Sequence, residues 1–181
     1  MLISFPYGEM FDPVYINDEN LLGVYQPSHF EPVDSIFECV NNAINSPIGS
    51  PELYEIARGA NSCVIISDDY TRQTPVKIMI PILENILRDA GVIDISILVA
   101  LGTHRPMTEQ ETLDKFGADI PKRIPVFQHN FRDFDNLADL GKSSIGIPLQ
   151  VCKKVIDADL VIGLGQIVPH RIAGFSGGSK I

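Results

Sequence analysis

NSCVIISDDYTRQTPVKIMIPILENILRDAGVIDISILVALG, residues 61–102, holds the pattern that decides the fold. Residues 63–67 read as a strand buried on both faces: the apolar run Cys63 to Ile66 ends in Ser67 and is flanked by polar residues. A helix is predicted over 75–89, opened by Pro75 and stopped by Gly91, and a second strand over 93–101 runs into Gly102. Strand, helix and strand within forty residues make a βα unit. Such units build a largely parallel sheet with helices on both faces.

The alternation continues downstream. Thr108 with Glu111 three residues on forms a capping box, opening a helix that Gly117 closes. Residues 123–128 read as a third strand, which Pro125 limits to an edge or a strand start. An extended piece over 145–151, a short helix over 152–158 and a last strand over 160–164 follow. Upstream, Val33, Ile36, Phe37, Val40, Ala43 and Ile44 fall at steps of three and four, a helix with Asp34 or Ser35 as its cap and an end near Pro47. Pro51, Leu53, Tyr54 and Ile56 mark a short second helix closed by Gly59. Residues 2–26 carry the apolar runs 2–5, 14–16 and 21–25, read as a small antiparallel meander or hairpin. The expected fold is α/β: a Rossmann-like, largely parallel sheet flanked by helices over 33–181, preceded by a β meander over 1–32.

Composition narrows the function. At 181 residues and 45% hydrophobic content the chain can bury a core. Its net charge of −9, from 23 acidic and 14 basic residues, argues against nucleic acid as a partner. The sequence lacks an apolar stretch long enough to span a membrane, and MLISFPYGEMFD lacks the basic start of a signal peptide, so a cytoplasmic protein is expected. Cys39, Cys63 and Cys152 are far apart and odd in number, as reduced core thiols are. With no HExxH, no His-x-His and no clustered cysteine, a metal held by these residues alone is not expected.

The polar residues worth naming follow the predicted strands. After the first come Asp68, Asp69, Thr71 and Arg72; after the second, Gly102, Thr103, His104 and Arg105; after the third, His129 and Asn130; after the last, His170 and a glycine loop. Ligands of open α/β sheets bind beyond the carboxyl ends of the strands, so these segments should converge on one crevice. Two histidines there, His104 and His170, suit acid–base chemistry, because imidazole can take and return a proton near neutral pH. Asp69 could orient one of them or a ligand hydroxyl, and Arg72 could pair with a carboxylate or phosphate. The plainer alternatives are that Asp68, Asp69 and Thr71 cap the next helix, that His129 is a loop residue, and that His29 is solvated.

The tail from Asp159 reads DLVIGLGQIVPHRIAGFSGGSKI. Gly174, Gly177 and Gly178, with Ser176 among them, permit backbone conformations in which consecutive N–H groups converge on an anion, and Lys180 supplies a cation or a nucleophilic amine. The loop is not a Walker A sequence, which would need glycine at 179 and Ser or Thr at 181.

Together, IISDDYTRQTP, LVALGTHRPMTEQE and HRIAGFSGGSK resemble the N-terminal domain of the nickel-pincer-nucleotide lactate racemase family, and the likeness runs over most of the chain. The resemblance implies a racemase or epimerase of 2-hydroxy acids. Its cofactor would be a pyridinium mononucleotide carrying nickel, joined to Lys180 through a thioamide and supplied by maturation proteins. Hydride would leave the substrate and return to either face, with His104 and His170 as the acid–base pair. Asp69 and Arg72 match further active-site positions, and Thr71 and the glycine loop match the cofactor side. The family's nickel-ligating histidine and further substrate contacts lie beyond Lys180. The chain is thus expected to be the front part of a two-domain protein, inactive without its C-terminal domain. Position 179 is serine where lactate racemases carry a basic residue, so the particular hydroxy acid stays open. A phosphate- or nucleotide-binding module without chemistry is the alternative. It accounts for the glycines and Lys180 but gives two strand-end histidines no task.

Overall fold

The computed structural model describes residues 1–4, 12–25, 28–29 and 31–178. The chain falls into two compact units, Met1–Asp34 and Ser35–Ile181. In the first, β1 (Leu2–Ile3) pairs antiparallel with β2 (Val14–Tyr15), Leu2 opposite Tyr15 and Ile3 opposite Val14. The terminal ammonium of Met1 donates to the Ile16 carbonyl and, at 2.7 Å, to Asp18 Oδ1. Residues 21–25, expected as a third extended run, form no strand, and Leu22 is 99% exposed. Among the described residues the expected meander or hairpin is a two-stranded antiparallel ribbon.

The second unit opens with α1 (Ile36–Asn45), capped by Ser35, whose Oγ accepts from the Glu38 amide at 3.2 Å. This satisfies one of the amides a helix start leaves unpaired. There follow α2 (Leu53–Ala57), β3 (Ser62–Ser67), α3 (Val76–Asp89), β4 (Asp94–Val99), α4 (Glu109–Phe116), α5 (Ile120–Arg123) and β5 (Val126–Gln128). The capping box at Thr108 and Glu111 is formed in both directions, and Gly117 ends α4 at φ +79°. β6 (Leu137–Lys142), β7 (Pro148–Cys152), α6 (Lys153–Ile156), β8 (Leu160–Leu164), β9 (Pro169–His170) and β10 (Gly174–Phe175) complete the unit.

Four strands make one parallel sheet in the order β5-β4-β3-β8. Its core joins β3 and β4 to α3 through Ile65, Ile80, Leu87, Ile97 and Val99, all fully buried. At the amino ends, the Asp159 carboxylate accepts from the Asn61 and Ser62 amides at 2.9 and 3.0 Å and from Ser62 Oγ, tying β8 to β3. Those bonds hold its pKa below the ordinary value.

Two expectations need correction. Residues 123–125 are not strand: Pro121 lies in the first turn of α5, where its fixed φ suits a helix, and pairing begins only at Val126, on the sheet edge. The piece expected over 145–151 pairs only from Pro148, as the second arm of a β6–β7 hairpin with Ala138 opposite Val151. Residues 145–147 belong to its turn, where Gly146 has φ +84°. β6 was not foreseen, because LADLGK lacks a clear alternation of apolar and polar residues.

Candidate active site

Register places the site. Ser67 lies opposite Val99 and Leu164, and Val99 lies opposite Gln128, so the four strands end side by side. The segments leaving those ends line one open cavity of about 570 Å³. Asp69, Thr71, Arg72, His104, His129, His170, Ser176 and Gly177 all reach its wall.

Asp69, 3% exposed, carries the geometry of the first side. Its Oδ1 accepts from the Thr71 amide at 2.9 Å and from Thr71 Oγ1 at 2.5 Å, and its Oδ2 lies 2.5 Å from His104 Nδ1. Burial alone would raise the carboxyl pKa, but the hydrogen bonds from Thr71 and His104 outweigh it and leave it lowered. An ionised carboxylate only accepts, so Nδ1 carries the ring proton of His104 and Nε2 keeps a lone pair when the ring is neutral. The His104 amide donates to the Leu101 carbonyl at 2.9 Å, and Gly102 turns the chain at φ +57°. The Arg72 amide donates to the Asp69 carbonyl at 3.1 Å.

His170 is held differently. It pairs with Gly174 across the β9–β10 ribbon, and its Nδ1 accepts from the Ile172 and Ala173 amides at 3.3 and 3.1 Å. That nitrogen keeps its lone pair, so the proton of the neutral ring sits on Nε2. The two histidines therefore hold opposite tautomers. Ser176 Oγ donates to the Gln166 carbonyl at 2.7 Å and accepts from the Val168 amide at 3.0 Å, folding the glycine loop back on itself. A Cβ at Gly177, where φ is +79°, would lie 3.1 Å from the Gln166 carbonyl oxygen. Gly174 and Gly178 also have positive φ, and Lys180 lies outside the described residues.

Asp68 does not cap α3, whose N-cap is Pro75 with no side-chain bond. It instead accepts from Lys115 Nζ at 2.7 Å and from the Thr74 hydroxyl. Lys115 was missed in the sequence because one lysine in an amphipathic helix looks like any solvated one. His129, read as a loop residue, lines the cavity, as does Gln166, whose Oε1 accepts from the Gln73 amide at 3.2 Å. Arg105, next to His104, forms a two-pronged pair with Glu111 at 2.6 and 2.7 Å and stacks over Tyr70 at 4.9 Å. Those bonds from Arg105, then from the Thr108 amide, pull Glu111 down to about 2. Among the described residues, no group of three or more His, Cys, Asp or Glu side chains is arranged to hold a metal ion, and no helix is long and apolar enough to cross a membrane.

Residues 7–181 match the family described as the lactate racemase N-terminal domain. The chain is 39% identical over 181 residues to a lactate racemase of Lactiplantibacillus plantarum, covering 98% of this chain and 43% of that protein. It is 34% identical to a lactate racemase of Thermoanaerobacterium thermosaccharolyticum, covering 98% of this chain and 42% of the relative. The chain thus spans less than half the length of these relatives. The solved lactate racemase apoprotein from the latter organism superposes with a TM-score of 0.87 over 99% of this chain and 42% of that one. A Thermotoga maritima protein of known structure superposes at 0.66 with 25% identity, over 84% of this chain and 39% of that one.

Proposed function

Because the chain belongs to the lactate racemase N-terminal domain family, we propose that it carries the cofactor attachment point and the proton-handling residues of a 2-hydroxy acid racemase or epimerase. The observation that carries this reading is the pair of oppositely tautomerised histidines, His104 and His170, on one cavity. A binding module without chemistry gives no reason for that pair.

What supports a lysine-linked nickel pincer nucleotide is the glycine loop, whose Ser176 and Gly177 line the cavity. Gly174, Gly177 and Gly178 hold positive φ, a Cβ at Gly177 would crowd the Gln166 carbonyl, and in the sequence Lys180 follows two residues on from Gly178. A cavity of about 570 Å³ is within the range that takes a nucleotide-sized ligand. When bound, the cofactor supplies a hydride acceptor and donor. His104 Nε2 takes the hydroxyl proton of the substrate as the 2-keto acid forms, and Asp69 stabilises the resulting imidazolium through Nδ1. Arg72 is the cation for the substrate carboxylate. His170 presents Nε2–H to a substrate oxygen in the described conformation. To serve as base for the opposite enantiomer it must move that proton to Nδ1, which requires release of the Ile172 and Ala173 amides.

The test is to produce the full-length protein in a host shown to load a known racemase, and to measure the mass of the Lys180 peptide, nickel content and interconversion of D- and L-2-hydroxy acids. An adduct on Lys180 with racemisation is expected. Unmodified Lys180 without nickel would overturn the reading in favour of a phosphate-binding module.

A further inference from the structure

We propose that Lys115 is a positioning residue that clamps the 68–74 loop and thereby sets Asp69, Thr71 and Arg72 in their places on the cavity; the catalytic part of this proposal rests on the function proposed above. Lys115 lies on α4, 47 residues along the chain from Asp68, and its side chain is 5% exposed. Its Nζ donates to Asp68 Oδ1 at 2.7 Å and to the Arg72 carbonyl at 2.8 Å. The two contacts grip the loop on either side of Asp69 and Thr71. Within the gripped segment, the Arg72 amide donates to the Asp69 carbonyl and the Thr71 amide and hydroxyl to the Asp69 carboxylate. Thr74 adds its hydroxyl to Asp68, extending the hold to the start of α3.

Charge chemistry favours a positioning role over a purely stabilising one. Burying an ammonium and a carboxylate costs solvation that their attraction barely returns, and apolar residues of similar volume often stabilise as well or better. What the pair adds is direction. Lysine has three donors on one nitrogen, and a backbone carbonyl and a carboxylate fix two of them at once, so the loop cannot slide without unpairing a buried charge.

The experiment uses the full-length protein, with cofactor for turnover and without it for ¹⁵N NMR of the His104 ring, whose Nδ1 reports contact with Asp69. Lys115→Met is expected to lower kcat by about a hundredfold, as a displacement near 1 Å in catalytic groups does, to shift the His104 Nδ1 signal and to lower Tm. In Lys115→Met combined with Asp68→Asn no buried charge is left unpaired. Tm should recover there, while kcat and the Nδ1 signal should not. Recovery of all three would overturn the proposal, as would a single variant with the native signal and kcat. A shifted Nδ1 signal alongside a wild-type protein that loads cofactor but does not racemise would refute the proposed function and uphold the clamp.

Discussion

Replacing Asp69 by asparagine tests the site at the one point where a single atom decides a proton's place. The carboxylate faces three donors: the Thr71 amide and hydroxyl at Oδ1 and His104 Nδ1–H at Oδ2. A carboxamide has one oxygen, which stays with the two Thr71 donors, so its NH₂ turns to the ring. Two donors cannot face each other, and the His104 proton moves to Nε2. Loss of a charge-assisted hydrogen bond alone is worth about 1.5–3 kcal/mol, or ten- to over a hundredfold in rate. Inversion of the tautomer removes the base itself, and the equivalent substitution in a serine protease triad lowers kcat by about 10⁴. A fall of about 10⁴ in kcat is therefore expected in the loaded full-length protein, with KM changed far less. The ¹⁵N spectrum should show the proton on Nε2. A fall below tenfold, or a ring still protonated at Nδ1, would show that Asp69 does not set the His104 tautomer.

Gly177→Ala combines a φ of +79° with a Cβ 3.1 Å from the Gln166 carbonyl oxygen; alanine there costs about 1–2 kcal/mol in backbone strain, and the yield of modified Lys180 peptide should drop. Ile80→Ala empties a fully buried position between α3 and the sheet and should cost about 2–5 kcal/mol in denaturant unfolding with an unchanged slope. Burial pushes the Cys63 thiol up to about 11, whereas Cys39, expected in the core, is exposed on α1 and Cys152 is half-buried; at pH 8 a maleimide should label Cys39 in the native protein and Cys63 only after unfolding. Asp159 has a lowered pKa in the fold because it accepts from the Asn61 and Ser62 amides. Its contribution is therefore full above the unfolded value of about 3.9 and fades as pH falls through the folded one. Asp159→Asn should accordingly flatten the acid limb of a stability-against-pH curve.

Much of the fold and of the candidate site was legible in residue order because it rests on local physics. The period of Ile36–Ile44, a cap at Asp34 or Ser35 of which the fold uses Ser35, the Thr108–Glu111 box and the apolar runs of β3, β4 and β8 follow from neighbours within a few residues. Strand ends are also local, and in a parallel sheet they lie at one edge, so His104 and His170 could be assigned to one crevice before any coordinates. The remaining features rest on contacts between residues far apart in the chain. That Asp69 faces His104 depends on a contact 35 residues apart, and that Lys115 is a buried clamp on one 47 residues apart. The β6–β7 hairpin was hidden for the same reason, since β6 takes its extended form from its partner rather than from its own composition. Which nitrogen of each histidine holds the proton likewise depends on the groups the fold sets against Nδ1, a carboxylate for His104 and two backbone amides for His170. Residue order thus determined which groups reach the crevice, and the fold decided what each of them faces there, because hydrogen-bond partners distant in sequence meet only once the sheet has formed.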